Sequence, residues 1–167
     1  MLKLAKSMQE LPFRQLMAVY QQSNIHTAQQ RWSEYSPERG LLLVEEAFYE
    51  DLQCGFFSVP DACYCLWMVD GECVSALRLE PWKDGWLLTA LETAPQRRNQ
   101  GYACALLTAV QEHLKAYGAV QLYSHIHIRN TASIHVHERC GFRKLSDTAR
   151  LLDGTITTQM RTYVYQE

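Results

Sequence analysis

The sequence predicts an α/β (α+β) fold: a mixed, largely antiparallel central sheet flanked by helices. Three observations carry this. Apolar residues recur at helical spacing early in the chain, at strand spacing from 62 to 93, and then in helix, strand, helix and two-strand segments. Three consecutive strands break the βαβ alternation of a doubly wound sheet. Finally, 167 residues with 47% hydrophobic and 20% charged side chains fit one domain, 1–167, able to bury its own core.

Leu11 to Gln22 carries apolar residues at Leu11, Leu16, Val19 and Tyr20, a helical spacing with Pro12 near the first turn. Ser36-Pro37-Glu38-Arg39 opens a second helix whose stripe reads Leu42, Leu43, Ala47 and Phe48. The period then changes. Ala62 to Val69 is a strand running into a tight hairpin at Asp70-Gly71. Cys73 to Leu79 alternates and stops at Pro81, Lys83-Asp84-Gly85 turns, and Trp86 to Thr93 is the third strand. Ala103, Leu106, Leu107, Val110 and Leu114 mark one face of a long helix, with Gly118 as its C-terminal cap. Gln121 to Ile128 is a strand, and Asn130 to Cys140 a short helix between an Asn130 N-cap and a Gly141 C-terminal cap. Lys144 to Leu152 and Thr155 to Tyr165 form a closing hairpin around Asp153-Gly154.

A net charge of −2 leaves no basic surplus for a phosphate backbone, so nucleic acid is not an expected partner. No segment has the apolar run needed to span a bilayer, and Met1-Leu2-Lys3-Leu4-Ala5-Lys6 has no stretch of signal-peptide length. The expectation is a cytoplasmic protein with no membrane partner. Its six cysteines (Cys54, Cys63, Cys65, Cys73, Cys104, Cys140) are then reduced thiols that read as small core residues. No second thiol pair joins Cys63 and Cys65 at a zinc spacing.

The stretch Leu91-Glu92-Thr93-Ala94-Pro95-Gln96-Arg97-Arg98-Asn99-Gln100-Gly101-Tyr102-Ala103 ends a strand, passes through polar residues and opens a helix near Gly101. Free N–H groups converge at such a helix start, and the helix dipole adds positive charge there. Gly101 lets the backbone approach a bulky anion, Ala103 keeps the first turn slim, and Arg97 and Arg98 add charge. This suits a pyrophosphate; an ordinary strand-to-helix connection with two solvated arginines is the competing reading.

Asn130-Thr131-Ala132-Ser133-Ile134-His135-Val136-His137-Glu138-Arg139-Cys140-Gly141-Phe142 is the second informative segment. Pro95, Arg98, Gly101 and Ala103 in the first segment, with Asn130, Glu138, Gly141 and Phe142 in the second, resemble the GNAT superfamily of acyl-CoA N-acyltransferases. In that family a Pro-x-x-Arg-x-x-Gly-x-Ala pattern ends a strand. A helix, a strand and an Asn-led short helix closing on Gly-Phe follow it.

The resemblance implies a GNAT-like sheet that splays apart after the strand 86–93, with acetyl-CoA as the acyl donor. N–H groups from Arg98, Asn99, Gln100, Gly101, Tyr102 and Ala103 would wrap the CoA pyrophosphate. The strand edge from Leu91 to Thr93 would pair with the pantetheine arm, and the Thr93 N–H is a candidate to polarise the thioester carbonyl. Asn130 would lie near the pantetheine, a role compatible with capping its own helix. In many relatives a tyrosine protonates the departing thiolate, and His137 stands at that position here. An imidazole titrating near neutrality can donate a proton; alternatively His137 packs under the cofactor, and Tyr102, Tyr123 or water supplies the proton. Glu92, beside the reaction centre, is the candidate base, directly or through a water; its plain reading is a hydrogen bond to a neighbour or exposure to solvent.

Four of the six histidines fall between 125 and 137: His125, His127, His135 and His137. His125 and His127 share one side of a strand, whereas His135 and His137 sit about 200° apart around a helix, so all four cannot face one ion. No metal is expected, and His125 or His127 reaching the acceptor as a base or polar contact fits better.

The resemblance therefore implies an N-acetyltransferase that passes acetyl directly, in a ternary complex, to a small-molecule or peptide amine. No cysteine has an evident activating partner for an acyl-enzyme. A non-catalytic acyl-CoA-binding regulator or sensor of the same fold is the alternative from another class. The acceptor pocket is expected between the N-terminal helices and the strands around Trp67, Trp82 and Trp86. Those rings suit an apolar or cationic amine unless they are simply core. A C2 homodimer is the default assembly.

Overall fold

The computed structural model describes residues 1–118 and 121–166. Its elements are β1 (Leu2–Ala5), α1 (Phe13–Val19), α2 (Gln21–Arg31), α3 (Pro37–Cys54), β2 (Cys63–Val69), β3 (Glu72–Trp82) and β4 (Gly85–Thr93). There follow α4 (Tyr102–Lys115), β5 (Gln121–His127), α5 (Thr131–Arg139), β6 (Arg143–Ser146), β7 (Ala149–Arg150), β8 (Ile156–Thr157) and β9 (Met160–Gln166). Seven strands form a sheet in the order β1-β2-β3-β4-β5-β9-β6, and β7 and β8 make a separate ribbon. Every pairing is antiparallel except β4 with β5. One face packs on α1 to α3 through Leu16, Val19, Tyr64, Leu66 and Ala76. The other packs on α4 and α5 through Leu77, Leu88, Leu106, Leu107, Leu122 and Phe142.

Several elements differ from their sequence reading. The helix expected over 11–22 breaks at Tyr20 (φ −88°, ψ 9°), where α1 gives way to α2. Helix α3 starts where expected: the Ser36 hydroxyl accepts from the Arg39 N–H at 3.2 Å, with Pro37 in the first turn. Its buried stripe is Gly40, Val44 and Leu52, not Leu42 and Ala47, which are exposed. Helix α2 sets that face, and Gly40 packs directly against it; a Cβ there would sit 3.4 Å from the Ala28 Cβ.

Strand β3 runs through Pro81 to Trp82, with Pro81 opposite Trp86. Strand β2 begins only at Cys63, opposite Leu79. The flank where Pro81 lacks its N–H is therefore an open edge, which tolerates proline. Strand β1, too short to show a period, adds to β2 with Leu2 opposite Trp67. The closing hairpin divides between β6–β9 and the β7–β8 ribbon. Cys63, Cys65 and Cys73 are buried, but Cys54 is exposed and Cys104 and Cys140 are half-buried, so only three of the six are core.

The feature that positions the site is the short seam between β4 and β5. Trp86, Leu87 and Leu88 pair with Leu122, Tyr123 and Ser124, and no pairing follows. Gly85 permits the close approach at the start of this seam, since a Cβ there would lie 2.1 Å from the Gln121 carbonyl oxygen. Past Leu88 the two strands splay.

Candidate active site

The splay coincides with a β-bulge in β4. Thr89 pairs with Arg78 and Glu92 with Ala76, so Ala90 and Leu91 together oppose Leu77. Ala90 takes a φ of +53°, and its carbonyl accepts from the Tyr20 hydroxyl at 2.5 Å. The extra residue shifts the alternation of side chains by one. Leu91 therefore joins the core under α4, and Glu92, paired with Ala76, faces the side of α1 to α3.

There Glu92 lines a cavity of about 440 Å³ walled by Tyr20, Asn24, Trp32, Phe48 and Asp51. Burial holds its carboxyl above the usual range, opposed by the Ser23 hydroxyl and the charge of Arg98. On its other flank the Ser75 hydroxyl donates to the Glu92 carbonyl at 2.7 Å and lies 3.0 Å from the Thr93 hydroxyl. Sequence reasoning missed Tyr20, Ser23, Asn24, Arg31, Trp32 and Ser75, because no local motif marks them. The tryptophans expected around the acceptor lie elsewhere: Trp67 and Trp86 pack in the α4 core, and Trp82 packs with Leu87, Tyr123 and Val164.

On the opposite side of the splay, the turn from Arg98 enters α4 through two residues of left-handed conformation, Asn99 (φ +61°) and Gly101 (φ +81°). Gly101 is the N-cap and supplies no side-chain cap. Among the described residues the N–H groups from Arg98 to Cys104 have no acceptor. This is the arrangement that binds a phosphate oxygen. A Cβ on Gly101 would meet nothing within 4 Å, so the space before these donors is open.

The two arginines expected to add charge here are engaged elsewhere. Arg97 pairs with Glu72 at 2.7 Å. Arg98 donates from Nε to the Thr93 carbonyl at 3.2 Å and from Nη1 to Gln22 Oε1, bridging the donor turn to the first turn of α2.

In the second segment, Asn130 Oδ1 accepts from the Ser133 N–H at 3.1 Å and caps α5. His137 is 1% exposed. Its Nδ1 donates to the Ser133 carbonyl at 2.8 Å, and its ring meets Phe142 edge-on at 4.9 Å. With the proton on Nδ1, Nε2 has only a lone pair, and that atom is buried without a partner among the described residues. Burial also lowers the pKa of the ring. In this state His137 has no proton to offer a thiolate. Tyr123 is likewise remote from that task, because its hydroxyl is bound to Asp84 and Gln121 at the closed end of the seam.

His125 and His127 lie on the same face as Glu92, given the pairing of Tyr123 with Leu87. His125 stacks edge-on against Trp82, 5.2 Å away, and burial lowers its pKa. His127 accepts at Nδ1 from the Arg129 N–H at 3.1 Å, which leaves Nε2 as a donor. His135 is exposed, on the other side of α5 from His137. Among the described residues no group of three His, Cys, Asp or Glu is placed to hold a metal ion, and no helix is long and apolar enough to cross a membrane.

The sheet is thus splayed beside an uncapped helix start, with a carboxylate-bearing cavity behind it. The pattern of the acetyltransferase (GNAT) family matches residues 17–142, and the chain belongs to that family. The fold is similar to that of PaiA N-acetyltransferase from Thermoplasma acidophilum, solved in complex with coenzyme A. That likeness has 13% identity and a TM-score of 0.67, over 100% of this chain and 99% of the other. It is also similar to aminoglycoside 6'-acetyltransferase type Ii (14% identity, TM-score 0.61, 99% and 96% covered). A third likeness is the ribosomal-protein-S18-alanine N-acetyltransferase from Escherichia coli (16%, TM-score 0.59, 99% and 94%). No curated protein matches the chain by sequence.

Proposed function

We propose that residues 1–167 form one N-acetyltransferase domain that moves an acetyl group from acetyl-CoA to a primary amine by direct transfer. One observation carries this reading: the unsatisfied N–H groups of the turn before α4 and the Glu92 carboxyl lie on opposite sides of a single splay. N–H groups from Arg98 to Ala103 hold the pyrophosphate, the free edge of β4 from Leu91 to Thr93 pairs with the pantetheine, and Asn130 fixes the α5 end of the site. The thioester then lies in the gap, with the Thr93 N–H the candidate to polarise its carbonyl, and the amine approaches from the cavity.

The amine nitrogen attacks the thioester carbonyl carbon, so a C–N bond forms and the C–S bond breaks. Glu92, ionised, takes the proton the amine loses, directly or through a water. CoA leaves as a thiolate and is protonated by water. We assign His137 to positioning: its bond to the Ser133 carbonyl and its contact with Phe142 hold α5 beside the gap.

The second reading, a non-catalytic acyl-CoA-binding sensor, draws on the same inward-turned His137. Free-thiol release from acetyl-CoA with a panel of amines decides between them. Turnover abolished by Glu92→Gln supports the enzyme; calorimetric binding of acetyl-CoA with no turnover on any amine supports the sensor.

A further inference from the structure

Two of the charges bordering the acceptor cavity have no ion-pair partner among the described residues. Asp51 is tied to Arg78 by a 2.8 Å ion pair, whereas Glu92 makes no ion pair among the described residues. Arg31, the last residue of α2, lines the same cavity and makes no ion pair among the described residues. The cavity thus carries one carboxylate and one guanidinium free of ion pairs among the described residues.

Its placement along α2 sets a length. Ser23, which lines the cavity with Glu92, lies in the first turn of α2, and Arg31 closes the last. The two are about 12 Å apart along the helix at 1.5 Å per residue. Helical side chains lean toward the N-terminus, and a guanidinium leaning this way from Arg31 would shorten that span. The same cavity is lined by Trp32 and Phe48, an apolar wall, and by Asn24, a residue only 4% exposed.

Resting on the acetyltransferase reading above, we infer that the acceptor is an amino-carboxylate. Its reacting amine lies against Glu92, its carboxylate is bound by Arg31, and an apolar spacer of several atoms runs along Trp32 and Phe48. A guanidinium matches a carboxylate with two parallel hydrogen bonds. A diamine would bring its second cation against Arg31, a like-charge contact that discriminates against polyamines. A neutral monoamine would leave Arg31 unused.

The test is thiol release from acetyl-CoA with aminobutanoate, aminohexanoate and aminooctanoate, each beside the monoamine and diamine of equal chain length. The full-length protein is compared with Arg31→Ala and Arg31→Glu. The expected result is a preference of about tenfold or more in kcat/KM for one amino-carboxylate over its diamine, the equivalent of about 1.4 kcal/mol. Arg31→Ala should lose this through KM with kcat kept, and Arg31→Glu should reverse it toward the diamine, a reversal a structural role would not produce. Transfer that ignores the distal charge in the wild type, or a preference unchanged in Arg31→Glu, overturns the inference and leaves the acetyltransferase standing. No thiol release with any amine overturns both.

Discussion

The Tyr20 hydroxyl donates to the Ala90 carbonyl across 2.5 Å, so the residue between α1 and α2 clamps a non-glycine strand residue held at positive φ. That conformation costs Ala90 about 1–2 kcal/mol. It persists because the bulge it makes is held from outside the strand, and the bulge is what turns Glu92 toward the cavity. Tyr20→Phe leaves the carbonyl without its donor and also removes the 3.2 Å contact from the Tyr64 hydroxyl. We expect a loss of about 1–2 kcal/mol in urea unfolding and about a tenfold fall in kcat/KM, equivalent to about 1.4 kcal/mol. Lower stability with unchanged kinetics would mean that the bulge does not orient the base.

Burial keeps the Glu92 carboxyl above its ordinary range, against the Ser23 hydroxyl and Arg98. A base must be ionised, so kcat/KM should rise with pH through that raised pKa, on a limb above the ordinary glutamate value of about 4.3. Stability moves the other way. The folded protein binds this proton more tightly than the unfolded chain does. The contribution is thus full below the unfolded pKa and fades as pH climbs through the folded one. Glu92→Gln should cut the rate by about a hundredfold or more and flatten that part of the stability curve, measured by denaturation across pH.

For His137 burial lowers the pKa, so its contribution to stability is present above the unfolded value of about 6.5 and lost as pH falls through the depressed folded value. His137→Phe should abolish this acid sensitivity while turnover stays within a few-fold. A fall of about a hundredfold in kcat would instead make the imidazole a proton donor.

Two glycines should respond in different ways. At Gly101 an added methyl meets nothing within 4 Å, so Gly101→Ala acts only through the φ of +81°. The cost of about 1–2 kcal/mol should appear chiefly as roughly tenfold weaker acetyl-CoA binding in calorimetry. At Gly85 the methyl would collide with the Gln121 carbonyl oxygen. Gly85→Ala should therefore open the β4–β5 seam and lower the melting temperature by several degrees.

Local chemistry was enough to read several elements of this protein. The helix start near Gly101, the apolar face from Leu106 to Leu114 and the cap at Asn130 are properties of short segments, and the structure carries all three. The inward turn of His137 was not legible, because it follows from the depth at which α5 packs on Phe142. Nor was the pocket face of Glu92. Plain alternation from Leu87 and Leu88 puts that side chain under α4, and only the bulge held by Tyr20 reverses it. The order of elements from β2 to α5 and the turn into α4 were legible because each rests on neighbours along the chain. The cavity beside Glu92 was not legible, because Tyr20, Arg31, Asp51 and Glu92 meet only when α2 and α3 fold across the splayed strand.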